Sequence, residues 1–166
     1  RDGGGRSVPP LVGQEAVVLR PTWLEAEAAH DGLYRAAVPG SGQRGAFKRV
    51  TFRPGGWLKL AGIHLLGVRR LVAHAHANQA GELELRYGAP DGDLLARAAP
   101  TTTEGWNQTE AIALELNESV NDLPPGDLYL VWKGEGGVVT DDMGHHRPGD
   151  VGWIDALEVV GSSLAK

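Results

Sequence analysis

Three acidic side chains, two near the start of the sequence and one near its end, have the type and spacing to hold a metal ion. Glu25 and Glu27 are two residues apart, so in a β-strand their carboxylates stand on one face. Like charges at that distance repel unless a cation separates them, and Ca²⁺ binds carboxylate and carbonyl oxygens. Asp155 lies among apolar residues of the last predicted strand and, if buried, needs a partner: an arginine, or a cation shared with the glutamates. The spacing therefore favours either a calcium site between the first and last strands or a solvated polar face.

Five tryptophans provide flat, rigid surfaces that can bind the C–H faces of sugar rings. They are Trp23, Trp57, Trp106, Trp132 and Trp153. Trp132 belongs to an alternating apolar run and is predicted to lie in the core, and Trp57 opens a strand and is predicted in or near the core. Trp106 and Trp153 each stand where a polar loop meets a strand, so each is either a packing lid or a platform for a ligand. Two tryptophans at loop ends favour a binding site there.

Other residue types that could do chemistry lack a recognisable spacing. His74 and His76 share one face of a predicted strand, but no third metal ligand accompanies them, which favours a structural or solvated pair. The segment 141–146, which contains Asp141, Asp142, His145 and His146, could bind a metal or a sugar, serve as acid and base in an enzyme, or be a polar loop. The sequence has no cysteine, nucleophile elbow, P-loop or HExxH motif. An enzyme is therefore the weakest of the functional hypotheses.

The elements that would position these residues are short strands. A length of 166 residues predicts one domain and at most two. The 24 glycines and 10 prolines predict many short elements separated by turns. Alternating apolar residues predict strands at 57–66, 70–77, 82–87, 94–98, 106–116, 127–133 and 153–160. Residues 23–29 fit a helix or a strand, and 134–152 read as a long irregular loop. The pattern predicts an all-β fold, either a sandwich or a barrel.

Charge and hydropathy exclude several kinds of partner. The net charge is −5 and no basic stripe is present, so a nucleic-acid surface is not expected. No apolar run approaches the length of a transmembrane helix, so no membrane partner is expected. The chain begins with Arg1, and we expect a piece of a longer protein. Its expected parts are a linker or extra strand over 1–20, a sandwich over 21–161 and a tail over 162–166.

Several short motifs, in order from about residue 23 to 160, resemble those of family 6 carbohydrate-binding modules and their relatives. The motifs are Leu24-Glu25-Ala26-Glu27, Gly56-Trp57-Leu58-Lys59-Leu60, Gly81 to Tyr87, Gly105-Trp106, Asp127 to Gly134, and Trp153-Ile154-Asp155 followed by Leu157. The resemblance implies a two-sheet β-sandwich of jelly-roll type without catalytic activity. It also implies a structural calcium ion with Glu25, Glu27 and Asp155 as its side-chain ligands.

The resemblance further implies a sugar cleft formed by loops at one end of the sandwich, with Trp106 as one of its two aromatic side chains. Tyr34, Phe47 and Phe52 compete for the second aromatic position, and Asn107 and Asp142 are expected to orient the sugar. Trp153 occupies the position where relatives often carry a sugar-binding asparagine, so it would either join the stack or change the cleft. Some relatives use a second cleft on a concave sheet face.

The resulting functional hypothesis is a non-catalytic module that binds a polysaccharide or oligosaccharide. It would belong to a larger secreted or periplasmic protein, as an accessory domain of an enzyme, with neighbouring domains as further partners. The alternative is a structural or docking jelly roll that keeps the calcium ion and has lost its sugar cleft. Buried indoles at Trp106 and Trp153 would favour this alternative.

Overall fold

Short extended segments separated by turns make up nearly all the regular structure of the described part of the chain. A computed structural model describes residues 23–26, 29, 31–33, 36–39, 48–103, 108–135, 137–140 and 146–161. The strands are β1 (Trp23–Glu25), β2 (Asp31–Leu33), β3 (Ala36–Pro39), β4 (Lys48–Phe52), β5 (Gly56–Ile63), β6 (Val68–Ala77), β7 (Glu82–Tyr87), β8 (Asp93–Ala98), β9 (Glu110–Glu115), β10 (Gly126–Lys133), β11 (Gly137–Thr140), β12 (His146–Asp150) and β13 (Gly152–Gly161). One turn of 3₁₀ helix, Glu118–Asp122, precedes β10. The predicted all-β class is confirmed.

Two antiparallel sheets form the sandwich. One has the order β3-β4-β13-β6-β9, with β1 paired to β13 as well, and the other has the order β2-β5-β10-β7-β8. β11 and β12 pair only with each other among the described strands. This hairpin lies within 134–152, so the prediction of an irregular loop there was wrong. Its glycines and charged residues are typical of loops, and the strands depend on backbone pairing rather than on an apolar pattern.

The hydrophobic core lies between the two sheets. Alternate residues of β10 (Leu128, Leu130 and Trp132) have no exposed surface. The indole of Trp132 packs directly on the backbone of the opposite sheet, because a Cβ at Gly152 would stand 2.6 Å from the Trp132 ring. The core position predicted for Trp132 is therefore confirmed, and Gly152 is what allows the ring to approach so closely.

Strand β13 organises the other sheet. β6 pairs along one edge of it, whereas the opposite edge is shared by β4, which pairs with 152–154, and β1, which pairs with 156–158. The first and last of the sandwich strands are therefore neighbours, as predicted. A bulge interrupts the β6 ladder between Ile154 and Ala156, so Asp155 is the extra residue. The strict alternation predicted for this strand was wrong, since Ile154 and Leu157 both reach the core across the bulge.

Two more predicted segments, 23–29 and 106–116, can be compared with the observed strands. Residues 23–25, for which helix and strand were both open, form a strand. The strand predicted over 106–116 is observed as Glu110–Glu115, and 104–107 lie outside the described residues. Over the part of the chain that is described, no helix has the length and apolar character needed to cross a bilayer.

Candidate functional site

The outer face of the five-stranded sheet carries an unusual set of aromatic and charged side chains, and we call it the aromatic face. Since alternate residues of β10 fill the core, Tyr129 and Val131 must face outward, together with their cross-strand partners. The partners form two rows across the sheet: Leu33, Trp57, Val131, Glu84 and Arg97, and then Asp31, Lys59, Tyr129, Arg86 and Leu94.

Two aromatic rings stand at the centre of this face. Trp57 and Tyr129 meet edge to face, with ring centroids 5.4 Å apart. Trp57 is partly exposed and its cross-strand partner Leu33 is 63% exposed, whereas Tyr129 is 9% exposed and packs behind the Trp57 ring. The sequence placed Trp57 in or near the core, but the buried Leu58 and Leu60 set the inward register of β5, so Trp57 points outward. The structure therefore adds Trp57 to the candidate site, where sequence reasoning had missed it.

A charged cluster lies on the β7 side of the rings. Glu84, which is 4% exposed, accepts hydrogen bonds through Oε2 from Arg86 Nε at 2.7 Å and Lys133 Nζ at 3.0 Å. The Arg86 hydrogen bond is the main cause that lowers the pKa of Glu84 to about 2, with Lys133 adding to it against the cost of burial. Arg86 also donates to the Gly92 carbonyl at 2.6 Å, which fixes the guanidinium in place. The cluster thus presents oriented donors beside the aromatic pair.

A second ion pair lies on the β5 side. Lys59 Nζ is 2.7 Å from Asp127 Oδ2 and 6.0 Å from the centroid of the Tyr129 ring. The hydrogen bond from Lys59 to Asp127 raises the pKa of the lysine, which therefore stays cationic at neutral pH. An apolar platform with hydrogen-bonding groups on both sides suits a ring-shaped ligand that has one C–H-rich face and a rim of hydroxyl groups.

The predicted metal ligands divide between described and undescribed residues. Glu25 is the cross-strand partner of Ala156, the residue after Asp155, and Asp155 is 1% exposed. Asp155 occupies the bulge where the β4 ladder ends and the β1 ladder begins. These two carboxylates fit the oxygen preference of Ca²⁺. Glu27 lies outside the described residues, and those that are described contain no group of three or more His, Asp or Glu side chains able to hold a metal.

Trp153 is a packed side chain on the outer face of the other sheet. It is 6% exposed, its ring stacks on His76 with centroids 5.4 Å apart, and the Arg49 guanidinium lies 4.8 Å from its ring centroid. Burial lowers the pKa of His76, opposed by its hydrogen bond to the Gln108 carbonyl, so the imidazole is neutral at pH 7. A sugar contact at Trp153 stays a prediction, and a sugar would have to displace part of this stack.

The two histidines of β6 have separate surroundings. His74 packs against Trp23 with ring centroids 4.5 Å apart, and its Nε2 lies 3.6 Å from Glu158 Oε2. His76 instead meets Trp153 and Gln108. This agrees with the structural interpretation of the pair.

Most residues of the predicted loop-end cleft fall outside the described part of the chain. Five predicted sugar contacts lie outside the described residues: Tyr34, Phe47, Trp106, Asn107 and Asp142. Phe52, the third candidate for the second aromatic position, is fully buried in the core and is excluded. On either side of 104–107, Thr103 exchanges hydrogen bonds with Ala77, and the Gln108 carbonyl meets His76 Nδ1 at 3.0 Å. Thr103 and Gln108, the described residues next to this segment, therefore both contact the end of β6.

Comparison with known proteins gives a likeness in structure rather than in sequence. No protein-family model matches the chain, and no curated protein matches it. A β-1,3-glucan-binding family 6 module from Bacillus halodurans superposes with a TM-score of 0.64 at 21% identity, covering 82% of this chain and 93% of that one. A family 6 module from Clostridium cellulolyticum in complex with xylose gives 0.65 at 17% identity, covering 83% and 95%.

A larger enzyme contains the same fold. A glycoside hydrolase family 43 arabinoxylan arabinofuranohydrolase from Bacillus subtilis, in complex with cellotetraose, gives a TM-score of 0.68 at 18% identity. The match covers 84% of this chain but 27% of that enzyme, so the chain spans only a small part of its length. The two-sheet sandwich is therefore a β-jelly roll with the fold of the family 6 carbohydrate-binding modules, as the sequence motifs predict.

Proposed function

We propose that this domain is a non-catalytic carbohydrate-binding module and that a sugar binds on the aromatic face. The observation that carries the proposal is the partly exposed Trp57 ring on an outward sheet surface, backed by the largely buried Tyr129 and flanked by Lys59 on one side and the Glu84 cluster on the other. Aromatic faces bind the C–H surface of a pyranose, and the flanking charged groups bind its hydroxyls. Solved structures of the same fold, described as binding β-1,3-glucan, xylose or cellobiose, support this choice of ligand.

The proposal includes the setting of the module. The domain would be an accessory part of a larger extracytoplasmic enzyme, with a polysaccharide as its partner. The Bacillus subtilis hydrolase, in which the matching fold is a minor part of the chain, supports this arrangement. A second sugar cleft would lie at the loop end, formed by Trp106, Asn107, Asp142 and either Tyr34 or Phe47. Trp153 would contribute to it only from its packed position.

Isothermal titration calorimetry tests the sugar site. Soluble β-1,3-glucan, xylotetraose and cellotetraose are titrated into the wild-type domain, Trp57→Ala, Trp106→Ala and Leu66→Ala. Leu66 is 58% exposed on the turn between β5 and β6 and serves as the matched control. Loss of binding in Trp57→Ala alone supports the aromatic face, and loss in Trp106→Ala alone moves the site to the loop end. If none of the three sugars gives a heat of binding, the proposal that the domain binds glycans of these types is refuted.

A structural calcium ion is the second part of the proposal. Glu25, Glu27 and Asp155 would supply carboxylate oxygens, and the ion would link β1 to β13 at the bulge. The support is the near-complete burial of Asp155 beside the strand that carries Glu25, since a buried carboxylate requires compensation. The role is structural and involves no chemical step.

A docking jelly roll without a sugar site is the second candidate function, and the packing of Trp153 favours it. An indole that is 6% exposed and stacked on His76 offers little surface to a ligand. Acrylamide quenching of tryptophan fluorescence separates the candidates when wild type is compared with Trp57→Phe. The aromatic face is the binding surface if two results agree: a bound sugar protects wild-type emission from the quencher, and the quenchable emission is missing in Trp57→Phe. Emission that no sugar protects favours the docking role.

A further inference from the structure

A bulge in β5 brings a carboxylate to the edge of the aromatic face. The β10–β5 ladder shifts register between Gly126, paired with Ile63, and Leu128, paired with Leu60. Gly62 lies in this interval with φ of +66°, a backbone conformation that favours glycine. Its N–H donates to Asp127 Oδ1 at 3.2 Å. One oxygen of Asp127 is thereby tied to the bulge, which sets the orientation of the carboxylate.

The other oxygen of Asp127 holds a lysine beside the aromatic pair. Lys59 Nζ lies 2.7 Å from Asp127 Oδ2, and the side chains are 26% and 36% exposed. Lysine has a long flexible stem, and fixing it in one rotamer costs entropy that a well-placed partner must offset. The ammonium stays 6.0 Å from the Tyr129 ring centroid, at the outer limit of a cation–π contact, so Asp127 rather than Tyr129 determines its position.

We propose that Asp127 is a positioning residue for sugar recognition, which holds the Lys59 ammonium at the rim of the Trp57–Tyr129 platform. This inference rests on the proposed function and concerns how the same face selects its ligand. Of the three N–H donors of the ammonium, Asp127 accepts one and a second is shared with the Tyr129 side chain, so one remains for a sugar oxygen while Asp127 balances the charge. A balanced donor–acceptor pair suits neighbouring hydroxyls of a neutral sugar, one accepting from Lys59 and one donating to the carboxylate. It gains nothing from an anionic sugar.

A double-mutant cycle tests whether Asp127 acts through Lys59. Asp127→Asn keeps an oxygen for the Gly62 N–H but puts an NH₂ group, which cannot accept a hydrogen bond, in place of the charged oxygen that holds the lysine. Lys59→Met keeps the apolar stem and removes the ammonium. With soluble β-1,3-glucan, xylotetraose or cellotetraose, each single change is expected to weaken binding about five-fold. The double change should weaken it no further than either single change. Additive losses, or an Asp127→Asn variant with wild-type affinity, would overturn the assignment.

Nuclear magnetic resonance of the Lys59 ammonium gives a readout that needs no sugar. The ¹⁵Nζ signal is expected to be visible in wild type, because the hydrogen bond slows exchange with water, and to be lost in Asp127→Asn. A general structural role of Asp127 would leave that signal in place in the folded variant, which would also overturn the assignment. If Trp57→Ala binds sugar as tightly as wild type, the aromatic face is not the binding site. If Trp57→Ala loses binding but the Asp127→Asn and Lys59→Met losses are additive, only the role of Asp127 is rejected.

Discussion

Replacing Glu84 by glutamine gives a pH-dependent loss of stability whose size follows from the cluster on the aromatic face. The Arg86 hydrogen bond, with a further one from Lys133, lowers the pKa of Glu84 from 4.5 to about 2. One pKa unit corresponds to about 1.4 kcal/mol, so the ionised carboxylate stabilises the fold by roughly 3 kcal/mol at neutral pH. Lys133 is 50% exposed and partly screened, which reduces the expected loss in Glu84→Gln to about 2 kcal/mol.

The direction of the pH effect follows from the sign of the shift. The folded protein binds the Glu84 proton more weakly than the unfolded chain, so this stabilisation is complete above pH 4.5. It declines as the pH falls and is gone below about pH 2. The difference in unfolding free energy between wild type and Glu84→Gln should therefore shrink from about 2 kcal/mol at pH 7 to near zero at pH 2.

Urea denaturation at pH 7, 4.5, 3 and 2 measures this difference. Other carboxylates titrate equally in both proteins, so their effect cancels in the comparison. Glu115→Gln is the matched control, because Glu115 is 69% exposed and 3.8 Å from Arg70, and its difference from wild type should stay near zero throughout. A Glu84→Gln difference that is the same at pH 7 and pH 2, or absent at pH 7, would refute the role assigned to the cluster.

Three further outcomes are expected. Gly152→Ala should lower the free energy of unfolding by about 3 kcal/mol in urea, because its Cβ would stand 2.3 Å from the His76 carbonyl oxygen and 2.6 Å from Trp132; a loss below about 0.5 kcal/mol would contradict that packing. Gly62→Ala meets no atom within 4 Å and should cost only about 1 kcal/mol of backbone strain, measured in the same way; a cost like that of Gly152→Ala would show that space also matters there. EDTA should lower the melting temperature of wild type but not of Asp155→Asn, as measured by circular dichroism, and an equal response in both would remove Asp155 from the proposed calcium site.

Clear alternation made most of the sheets predictable. β7 and β10 follow the period-2 pattern of their leucines, and the pairing of β1 with β13 follows from the order of strands in a sandwich. The bulge at Asp155 could not be predicted from the sequence. The residues on either side of it are apolar or small, so apolar side chains would be buried in either register of the strand. The backbone pairing of 137–140 with 146–150 likewise left no apolar pattern to find.

The aromatic face could have been found in part. Glu82, Glu84 and Arg86 alternate with Leu83 and Leu85, so the sequence alone places three charged residues on one face of a strand. What it could not show is that β10, with Tyr129 and Val131, pairs with β7, and that β5, with Trp57, lies on the far side of β10. That neighbourhood depends on the sheet order β5-β10-β7, in which no two adjacent strands are consecutive in the chain.

Whether the aromatic face binds a sugar or a neighbouring domain can be argued from its charges. The cores of protein interfaces are depleted of charged residues, and covering a charged group there requires compensation. This face instead places Lys59 and the Glu84 cluster immediately beside its aromatic centre, with the lysines 26% and 50% exposed. Polar groups that keep contact with water while a flat ring remains accessible suit a hydroxylated ligand that binds reversibly. Hydrogen–deuterium exchange in a longer protein containing this domain would decide: protection of β5 and β10 only when glycan is added supports the sugar site, and protection by the neighbouring domain alone refutes it.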